Sequence, residues 1–424
     1  MAATPTSPAE IAIEDIERAA ATVAPLVRRT PVLAAGELSR RFGAPVALKA
    51  ECLQRTGSFK IRGAANAIAA IPPDRLSAGV CAASAGNHAQ AVTTAAARHG
   101  AHAELFMPVS APLAKVAAVR GHGGNVRLVD GAYDEAQAAA LEYATQTGTS
   151  FVHAFDNRDV VAGQGTVALE IAEQAPATRL IVVPLGGGGL AAGVGIAAAA
   201  RLPGARVVGV QAEACAPYPP SLQAHRPIGA RGESTICDGI AVKQPGELTL
   251  PLVARYLDEV VTVSDDEVAE AMVLLLERSK LVVEGAGAVA VAAILHGKVA
   301  PPADGETCAV LSGGNVDASR LAECIRLGET AAGRRMVLVT VVPDRPGALA
   351  GLLRCVAEEG ANVIDVTHLR EGLDLHIRET VIRLVLQTDG REHGERVLGA
   401  IQEHGFDVHL EDSALGGERR DGSA

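Results

Sequence analysis

A lysine in a run of small and apolar residues is the first candidate for chemistry. Lys60 lies in the segment TGSFKIRGA (residues 56–64), between an apolar run over 46–53 that predicts a buried strand and an alanine-rich pattern over 64–70 that predicts a helix. The first turn of a helix disfavours a cation, and the flanking Phe59 and Ile61 favour an uncharged amine. A neutral lysine amine is a nucleophile toward carbonyl groups. The alternative is an ordinary surface lysine with its charge in water.

Four consecutive glycines form a candidate binding loop. Gly186, Gly187, Gly188 and Gly189 separate a predicted strand over 179–185 from a predicted helix over 190–201. Without side chains, such a backbone can bring several N–H groups onto one anion at the positive end of a helix dipole, and phosphate is the anion that fits best. A tight turn would need fewer glycines. The spacing up to Ala191 also satisfies a dinucleotide-binding fingerprint, so a nicotinamide cofactor stays open as an alternative.

Two further loops follow predicted strands. The segment Ser84, Ala85, Gly86, Asn87 and His88 separates a predicted strand over 80–83 from a predicted helix over 89–98, which makes it another anion-ready loop. The second is SGGN (residues 312–315), which begins with Ser312 and follows the apolar run over 308–311. For His88 we favour a capping or packing role. Each loop taken alone is also compatible with a plain glycine-containing turn.

Composition excludes several classes of function. The 424 residues carry a formal net charge of −11 and only 2% aromatic side chains, which argues against a nucleic-acid partner. Seven cysteines without a Cys-x-x-Cys pair predict neither a disulfide framework nor a zinc site, and we expect no metal. No signal peptide and no membrane-spanning run is evident, so we expect a cytoplasmic protein that does not bind a membrane.

Predicted strands and helices alternate from residue 46 onward, which indicates an α/β fold of parallel sheets with helices on both faces. Ligands of such sheets bind beyond the carboxyl ends of the strands, where all the loops above are expected. With hydrophobic residues at 48%, mostly small ones, we expect close packing of helices on sheets. After residue 336 the pattern changes to strand, helix, strand, strand (373–386), helix and strand, which indicates a ferredoxin-like α+β domain.

Four motifs in the same order resemble the fold-type II pyridoxal-phosphate enzymes, and the serine/threonine dehydratase group in particular. They are TGSFKIRGA (56–64), SAGNH (84–88), the glycines at 186–189 and SGGN (312–315). The segment VPDRPGAL (342–349) is similar to the opening of an ACT-type ligand-sensing domain. The resemblance implies the tryptophan-synthase-β-like fold with a catalytic part over 14–325, including a smaller subdomain over about 52–155. A linker over 326–335, an ACT-like regulatory domain over 336–411 and tails over 1–13 and 412–424 complete the expected organisation.

The resemblance also implies roles for individual residues. Lys60 would bind pyridoxal 5′-phosphate covalently and act as the catalytic base, and Phe59 would pack against its ring. Asn87 would bind the phenolic oxygen of the cofactor, Gly186 to Gly189 its phosphate, and Ser312 its pyridine nitrogen. The substrate carboxylate would lie on the loop from Ser84 to Asn87, which makes Ser84 a second catalytic candidate.

The implied reaction is dehydration and deamination of L-threonine to 2-oxobutyrate and ammonia, and of L-serine to pyruvate. Racemases of the family have a second serine at the position of Ala85, and an alanine has no proton to give, so elimination is favoured over racemisation. A serine at the ring nitrogen, unlike an aspartate, does not hold that nitrogen protonated, which disfavours a long-lived carbanion.

Several points stay open from the sequence. Gln211, Cys215 and Pro217 occupy what the resemblance suggests are ligand positions of the family's divalent-cation site, so that site is doubtful here. Glu284 matches a family position near the ring, but a solvated carboxylate at a helix start is an alternative. An amino-acid effector and a homo-oligomer, dimer or tetramer, are expected from the ACT-like domain. The alternatives of another class are a nicotinamide-binding oxidoreductase and a catalytically inert amino-acid-binding regulator.

Overall fold

Three sheets organise the chain in the computed structural model, which describes residues 11–370 and 378–411. The chain divides into two compact units, Met1–Arg320 and Leu321–Ala424. Most of the two predicted tails, 1–10 and 412–424, lies outside the described residues. No helix within the described ranges is both long enough and apolar enough to cross a membrane.

The strands of the first unit are short. They are β1 Val32–Ala34, β2 Val46–Lys49, β3 Val80–Ala83, β4 Ala103–Pro108, β5 Asn125–Val129, β6 Ser150–Phe151, β7 Thr178–Pro184, β8 Arg206–Ala212, β9 Glu259–Val263 and β10 Glu306–Val310. The second unit contains β11 Arg335–Pro343, β12 Asn362–Leu369, β13 Glu379–Gln387 and β14 Val408–Leu410.

Helices connect these strands. They are α1 Ile13–Val23, α2 Gly36–Phe42, α3 Lys60–Ala69, α4 Pro73–Leu76, α5 Asn87–Arg98, α6 Leu113–Gly121, α7 Tyr133–Thr147, α8 Arg158–Gln174, α9 Gly189–Arg201, α10 Tyr218–Ala224, α11 Thr249–Tyr256, α12 Asp265–Leu274, α13 Gly285–Leu295, α14 Ala318–Ala331, α15 Ala348–Glu358 and α16 Arg391–Glu403. Short 3₁₀ turns cover Glu51–Leu53, Arg55–Gly57 and Asp238–Ile240, and a π-helical turn covers Leu275–Ser279.

Two separate sheets form the first unit, as the alternating pattern predicts. The larger has the order β1-β2-β10-β7-β8-β9 and is parallel except for its edge strand β1, which runs antiparallel to β2. The smaller has the order β5-β4-β3-β6 and is wholly parallel. The fold class expected from the sequence is thereby confirmed. Each sheet therefore has its own edge of carboxyl ends at which loops can gather.

Small residues allow the helices to approach one another closely, as the composition predicts. A side chain at Gly193 on α9 would collide with the Val161 carbonyl of α8, and one at Gly165 would come within 2.8 Å of the Gly193 carbonyl. Gly163 on α8 meets the Arg62 carbonyl of α3 in the same way, at 2.6 Å. The seven cysteines are buried and none forms a disulfide. Glycine and alanine thus set the spacing between α3, α8 and α9.

A buried cluster of ion pairs fixes the beginning of α3. The Arg62 guanidinium is fully buried and donates to Glu51 twice, at 2.8 Å, and to Glu170 on α8 at 2.7 Å. Lys49, at the end of β2 and also fully buried, donates to the second oxygen of Glu170 at 2.5 Å. Burial pushes the pKa of Glu51 upward, but the Arg62 guanidinium outweighs it and holds that pKa below its ordinary value. Thr30 completes the cluster with a hydrogen bond to Glu51.

The second unit is an antiparallel sheet covered by two helices. Its strands follow the order β12-β13-β11-β14, and α15 and α16 supply the other half of its core, which contains Leu338, Leu352, Val356, Ile382, Leu384, Val397 and Ile401. This arrangement agrees with the ferredoxin-like pattern expected for the C-terminal residues.

Three local predictions differ from the structure. The strand expected over 46–53 ends at Lys49, because the buried Glu51 turns toward Arg62 in a 3₁₀ turn. The linker expected over 326–335 is largely helical: α14 extends to Ala331 and buries Cys324, so the glycine at 328 is tolerated inside a helix. The strand expected over 373–386 begins at Glu379, and residues 371–377 lie outside the described part of the chain.

Replacing Arg62 tests the ion-pair cluster. Arg62→Met keeps much of the buried stem but leaves Glu51 and Glu170 without their main partner, so we expect the free energy of unfolding to fall by about 3–5 kcal/mol. Urea unfolding followed by circular dichroism measures the change. Arg40→Met is the matched control, because its pair with Glu37 is exposed, and its unfolding midpoint should match that of the wild type. Equal midpoints for both variants would contradict a structural role for the cluster.

Candidate active site

Lys60 is the first residue of α3, so the helix expected over 64–70 begins four residues earlier, at the lysine itself. Its side chain is half-buried, and its amine donates to the Ala154 carbonyl oxygen at 3.0 Å and lies 5.2 Å from the centre of the Phe59 ring. Burial lowers the pKa of this amine to about 8, while the carboxylate of Glu284 acts in the opposite direction. A larger fraction of this amine than of an ordinary lysine is therefore uncharged near neutral pH, which favours a role as nucleophile or base.

The first and fourth motifs pair directly through their backbones. The Phe59 N–H donates to the Ser312 carbonyl oxygen at 3.0 Å, and the Gly314 N–H donates to the Gly57 carbonyl oxygen at 2.8 Å. Ser58 and Gly313 form the bridge between these two bonds. The Ser312 side chain is buried, and its hydroxyl donates to the Ala286 carbonyl oxygen at 3.3 Å. Lys60 and Ser312 thus belong to one site.

The loop from Ser84 to His88 joins β3 to α5. The Ser84 hydroxyl oxygen accepts from the Gly86 N–H at 3.1 Å, which leaves the hydroxyl proton available for another acceptor. His88 is buried and its Nε2 donates to the Val152 carbonyl oxygen at 2.9 Å. Burial lowers the pKa of His88 to about 3, so this histidine is neutral. The packing role favoured from the sequence is confirmed.

Asn87 is held at both ends of its side-chain amide. Its Nδ2 donates to Glu284 at 2.7 Å, and its Oδ1 accepts from Asn315 Nδ2 at 2.8 Å. Asn315 also donates to the Thr56 carbonyl oxygen at 2.7 Å. The second and fourth motifs therefore meet at Asn87, and this contact leads back to the segment that contains Lys60.

Glu284 is a buried member of the site. Its side chain is 7% exposed and lies against Gly313, so the alternative of a solvated carboxylate is wrong. Burial, followed by the nearby Asp238, raises the pKa of Glu284 to about 7. The burial of Glu284 could not be predicted from the sequence, because it depends on a contact with Asn87, which is distant in the chain.

The four glycines at 186–189 follow β7 and lead into α9, whose first residue is Gly189, in a space where side chains do not fit. A side chain at Gly187 would collide with the Phe155 ring, and Gly188 combines a φ of +97° with contact to the Tyr218 hydroxyl. A Cβ at Gly189 would lie 3.0 Å from the Phe155 carbonyl oxygen. No acceptor for the N–H groups of these four residues is found in the described ranges. The loop therefore has the unpaired donors that a phosphate requires.

Three residues that the sequence did not single out hold this loop. Tyr218 and Thr249 donate their hydroxyl protons to the Gly187 carbonyl oxygen at 3.2 and 2.7 Å. Asp156 accepts from the Leu248 and Thr249 N–H groups at 3.0 and 3.1 Å and so fixes the beginning of α11. These contacts join segments far apart in sequence. Hydrophobic periodicity in the sequence could not predict these contacts.

The short loop over 152–157 connects the lysine to the glycines. Ala154 accepts from Lys60, and the next residue, Phe155, lies against Gly187 and Gly189. The amine and the row of unpaired N–H groups are consequently neighbours. An amine of lowered pKa beside a phosphate loop suits a cofactor that carries both an aldehyde and a phosphate. The chemistry of these donors therefore fits pyridoxal phosphate.

Both polar atoms of the Gln211 side-chain amide form hydrogen bonds within the protein. Its Nε2 donates to the Leu185 carbonyl oxygen at 3.2 Å, and its Oε1 accepts from the Tyr218 N–H at 3.0 Å. Cys215 is buried. Over residues 11–370 and 378–411, no group of three or more His, Cys, Asp or Glu side chains is arranged to hold a metal ion.

Comparison with known proteins gives one family. The family described as "Pyridoxal-phosphate dependent enzyme" matches residues 23–313. This range includes Lys60, the loop over 84–88, the glycines at 186–189 and Ser312. The match favours pyridoxal phosphate over the nicotinamide cofactor that the glycine spacing had left open.

Individual relatives match much of the chain. An L-threonine ammonia-lyase of Thermotoga maritima is 44% identical over 405 residues, covering 94% of this chain and 99% of the relative. The structure of a threonine deaminase from Solanum lycopersicum is 31% identical with a TM-score of 0.71, covering 77% of this chain and 94% of the other. A maize serine racemase structure is 35% identical, also with a TM-score of 0.71, covering 74% and 97%.

A substitution in the glycine loop tests its role. Gly188→Ala should weaken pyridoxal phosphate binding at least about tenfold, because the methyl group meets the Tyr218 hydroxyl and moves the backbone donors. Gly204→Ala is the matched control, with a similar φ of +83° and nothing within 4 Å of the added Cβ. Absorbance titration of the apoprotein with pyridoxal phosphate measures both affinities. Equal affinities would separate this loop from phosphate binding.

Proposed function

The chain belongs to the family of pyridoxal-phosphate-dependent enzymes, and we propose that it converts L-threonine to 2-oxobutyrate and ammonia, and L-serine to pyruvate and ammonia. The observation that carries the proposal is the convergence of Lys60, Asn87, Ser312 and the glycines at 186–189 in one partly buried site. Threonine deamination is also the activity for which the Thermotoga relative is named.

The cofactor would be held at three points. Lys60 would bind its aldehyde carbon, the N–H groups of residues 186–189 its phosphate, and Asn87 its phenolic oxygen through the second amide proton. Ser312 would face the pyridine nitrogen, for which its hydroxyl must leave the 3.3 Å contact with Ala286. Phe59 would pack against the ring. Pyridoxal phosphate, when bound, supplies an aldehyde that condenses with amines and a ring that withdraws electrons from the α-carbon of the substrate.

The side chains of this protein then supply binding and proton transfer. The Ser84 hydroxyl and the N–H groups at the beginning of α5 would bind the substrate carboxylate. The substrate amine would replace Lys60 at the aldehyde carbon. The freed Lys60 amine, whose pKa burial lowers to about 8, would then remove the α-proton of the substrate. The β-hydroxyl would leave as water with the proton that Lys60 has taken, and hydrolysis of the resulting enamine would release the oxo acid and ammonia.

Elimination is favoured over racemisation at this site. Racemisation needs a proton donor on the face of the substrate opposite the lysine, and Ala85 offers only a methyl group in the loop that would hold the carboxylate. His88, the nearest titratable residue in that loop, is neutral and donates to Val152. The carbanion would consequently lose its β-hydroxyl before it is protonated on the opposite face.

Threonine turnover and its dependence on Lys60 test the proposal. The wild-type protein with pyridoxal phosphate should form 2-oxobutyrate from L-threonine, and Lys60→Ala should lower kcat by at least about a thousandfold while the fold is retained. Coupled detection of 2-oxobutyrate and of ammonia measures the rate.

The control variant is Lys280→Ala, since Lys280 is exposed and should be dispensable. Borohydride reduction of the wild type followed by peptide mapping should find the pyridoxyl label on Lys60. A label on another lysine, or unchanged activity of Lys60→Ala, would refute the assignment.

We further propose that the second unit binds a small amino acid and regulates this activity, in a homo-oligomer. A cavity of about 300 Å³ lies at the end of β11, between the loop over 343–348 and the edge strand β12. It is lined by Asp344, Arg345, His368 and Arg370, with Arg370 bound to Asp344 at 3.1 Å. Arginine side chains suit a carboxylate, and Asp344 suits an ammonium group.

Asp344→Ala tests the regulatory proposal. We expect the variant to keep basal threonine turnover and to lose a response of about fivefold or more in apparent affinity to isoleucine or valine. Initial rates against threonine concentration, with and without each amino acid, measure the response. Glu395→Gln, an exposed change elsewhere in the second unit, should respond like the wild type. An undiminished response in Asp344→Ala would exclude this cavity as the effector site.

A further inference from the structure

We propose that Glu284 is a positioning residue for the reaction, which orients the side-chain amide of Asn87 and makes that orientation depend on pH. The inference rests on the proposed function, because that function assigns Asn87 to the cofactor. The family resemblance places Glu284 near the ring but gives it no partner and no task.

The Glu284 side chain does not cap its own helix. Glu284 is the N-cap residue of α13, yet its side chain makes no hydrogen bond to the first turn of that helix, unlike the N-cap residues Asn157 and Ser264. Short acceptors such as Asp, Asn and Ser are the residues that ordinarily cap a helix from this position, and Glu is not one of them. The carboxyl instead reaches α5 and accepts from Asn87 Nδ2 at 2.7 Å. Its place is therefore explained by Asn87 and not by helix capping.

Little space surrounds the carboxyl. A side chain at Gly313 would collide with Glu284 Oε1, and a Cβ at Gly239 would lie 3.7 Å from the same atom. The Glu284 N–H donates to the Gly313 carbonyl oxygen at 3.1 Å, which fixes the backbone of the residue. With the backbone bonded and the side chain enclosed, Oε1 stays at Asn87.

The hydrogen bonds continue from Asn87 to a strained turn. Asn315 joins Asn87 to the Thr56 carbonyl oxygen, and Thr56 has a φ of +63°, which a β-branched residue rarely adopts. Such a conformation persists where the surroundings enforce it. The chain Glu284, Asn87, Asn315, Thr56 thus ends in the motif that carries Lys60. A change in the Glu284 carboxyl consequently reaches both the amide and the lysine segment.

Four titratable groups face this carboxyl. Asp238 stabilises its protonated form, whereas Lys115, bonded to Asp238, and Lys60 favour its ionised form. The Cys52 thiol, whose pKa burial raises to about 12, stays neutral. Burial is the largest effect and, with Asp238, raises the pKa of Glu284 to about 7. The ionised carboxylate accepts the stronger hydrogen bond, so the amide is held more firmly above pH 7 than below it.

The test compares Glu284→Gln with Glu284→Ala. Glutamine keeps an oxygen that accepts from Asn87 but cannot ionise, and alanine removes both properties. Glu104→Gln is the control, since Glu104 is also 7% exposed but its carboxylate accepts from Asn125 and Arg127 and not from Asn87. The readouts are the absorbance of the bound cofactor between pH 5.5 and 9, kcat and KM over the same range, and thermal unfolding of the apoprotein.

We expect the wild type and Glu104→Gln to show an absorbance change with a midpoint near pH 7 that Glu284→Gln lacks. Above pH 7, Glu284→Gln should retain kcat within a few-fold, and Glu284→Ala should fall at least about tenfold below it. Because the pKa of Glu284 is raised in the folded protein, the free energy of unfolding of the wild type falls as pH rises from about 4.5 to 7. The Tm of apo Glu284→Gln should therefore increase relative to that of the apo wild type between pH 5 and pH 8.

Two results would overturn the inference: an absorbance change near pH 7 that persists in Glu284→Gln, or equal kcat values for Glu284→Gln and Glu284→Ala. The absorbance and unfolding measurements need no turnover. If the wild type does not deaminate threonine, the proposed function fails, while these two measurements still decide the role of Glu284.

Discussion

The buried ion pairs around Arg62 are the constraint on which the site depends. Arg62, Lys49 and Glu51 are fully buried and Glu170 is partly buried, and the buried charges are stable there only because their partners are in place. Glu51 follows β2 of the larger sheet, Glu170 lies on α8, and Arg62 is in the first turn of α3, two residues after Lys60. The direction in which α3 begins is therefore determined by charge, and with it the position of the Lys60 amine beside Ala154.

The rest of the site is held by backbone hydrogen bonds and by glycines, whose lack of side chains leaves space for neighbouring groups. The Phe59 and Ser312 segments pair as two short extended stretches, which join a loop of the larger sheet to the segment that carries the lysine. Phe155 fills the space that side chains at Gly187 and Gly189 would need. The bonds between the Phe59 and Ser312 segments use main-chain atoms, whereas the Phe155 ring and the Tyr218 and Thr249 hydroxyls support the glycine loop. Together these contacts hold the N–H groups of the loops in place.

The sequence predicted those parts of the molecule that depend on local pattern. Loops that follow buried strands could be located from hydrophobic periodicity, and their glycines and Lys60 suggested the chemistry. The contacts of Tyr218 and Thr249 with the glycine loop could not be predicted, since they join residues separated by more than thirty positions. The burial of Glu284 and the helix across the expected linker were missed for a related reason. A charged or glycine-containing segment appears solvated until its tertiary partners are known.

The fold alone does not select the reaction, because a maize serine racemase and a threonine deaminase from Solanum lycopersicum share it. The choice must therefore be made by side chains near the substrate. In the proposed mechanism, a carbanion formed by Lys60 would have two fates, return of a proton from the opposite face or loss of the β-hydroxyl. On that mechanism, Ala85 would offer no donor for the first fate, and Ser312 at the ring nitrogen would shorten the life of the carbanion because a hydroxyl does not hold that nitrogen protonated. Both features act in the same direction, toward elimination, and neither requires a change in the backbone.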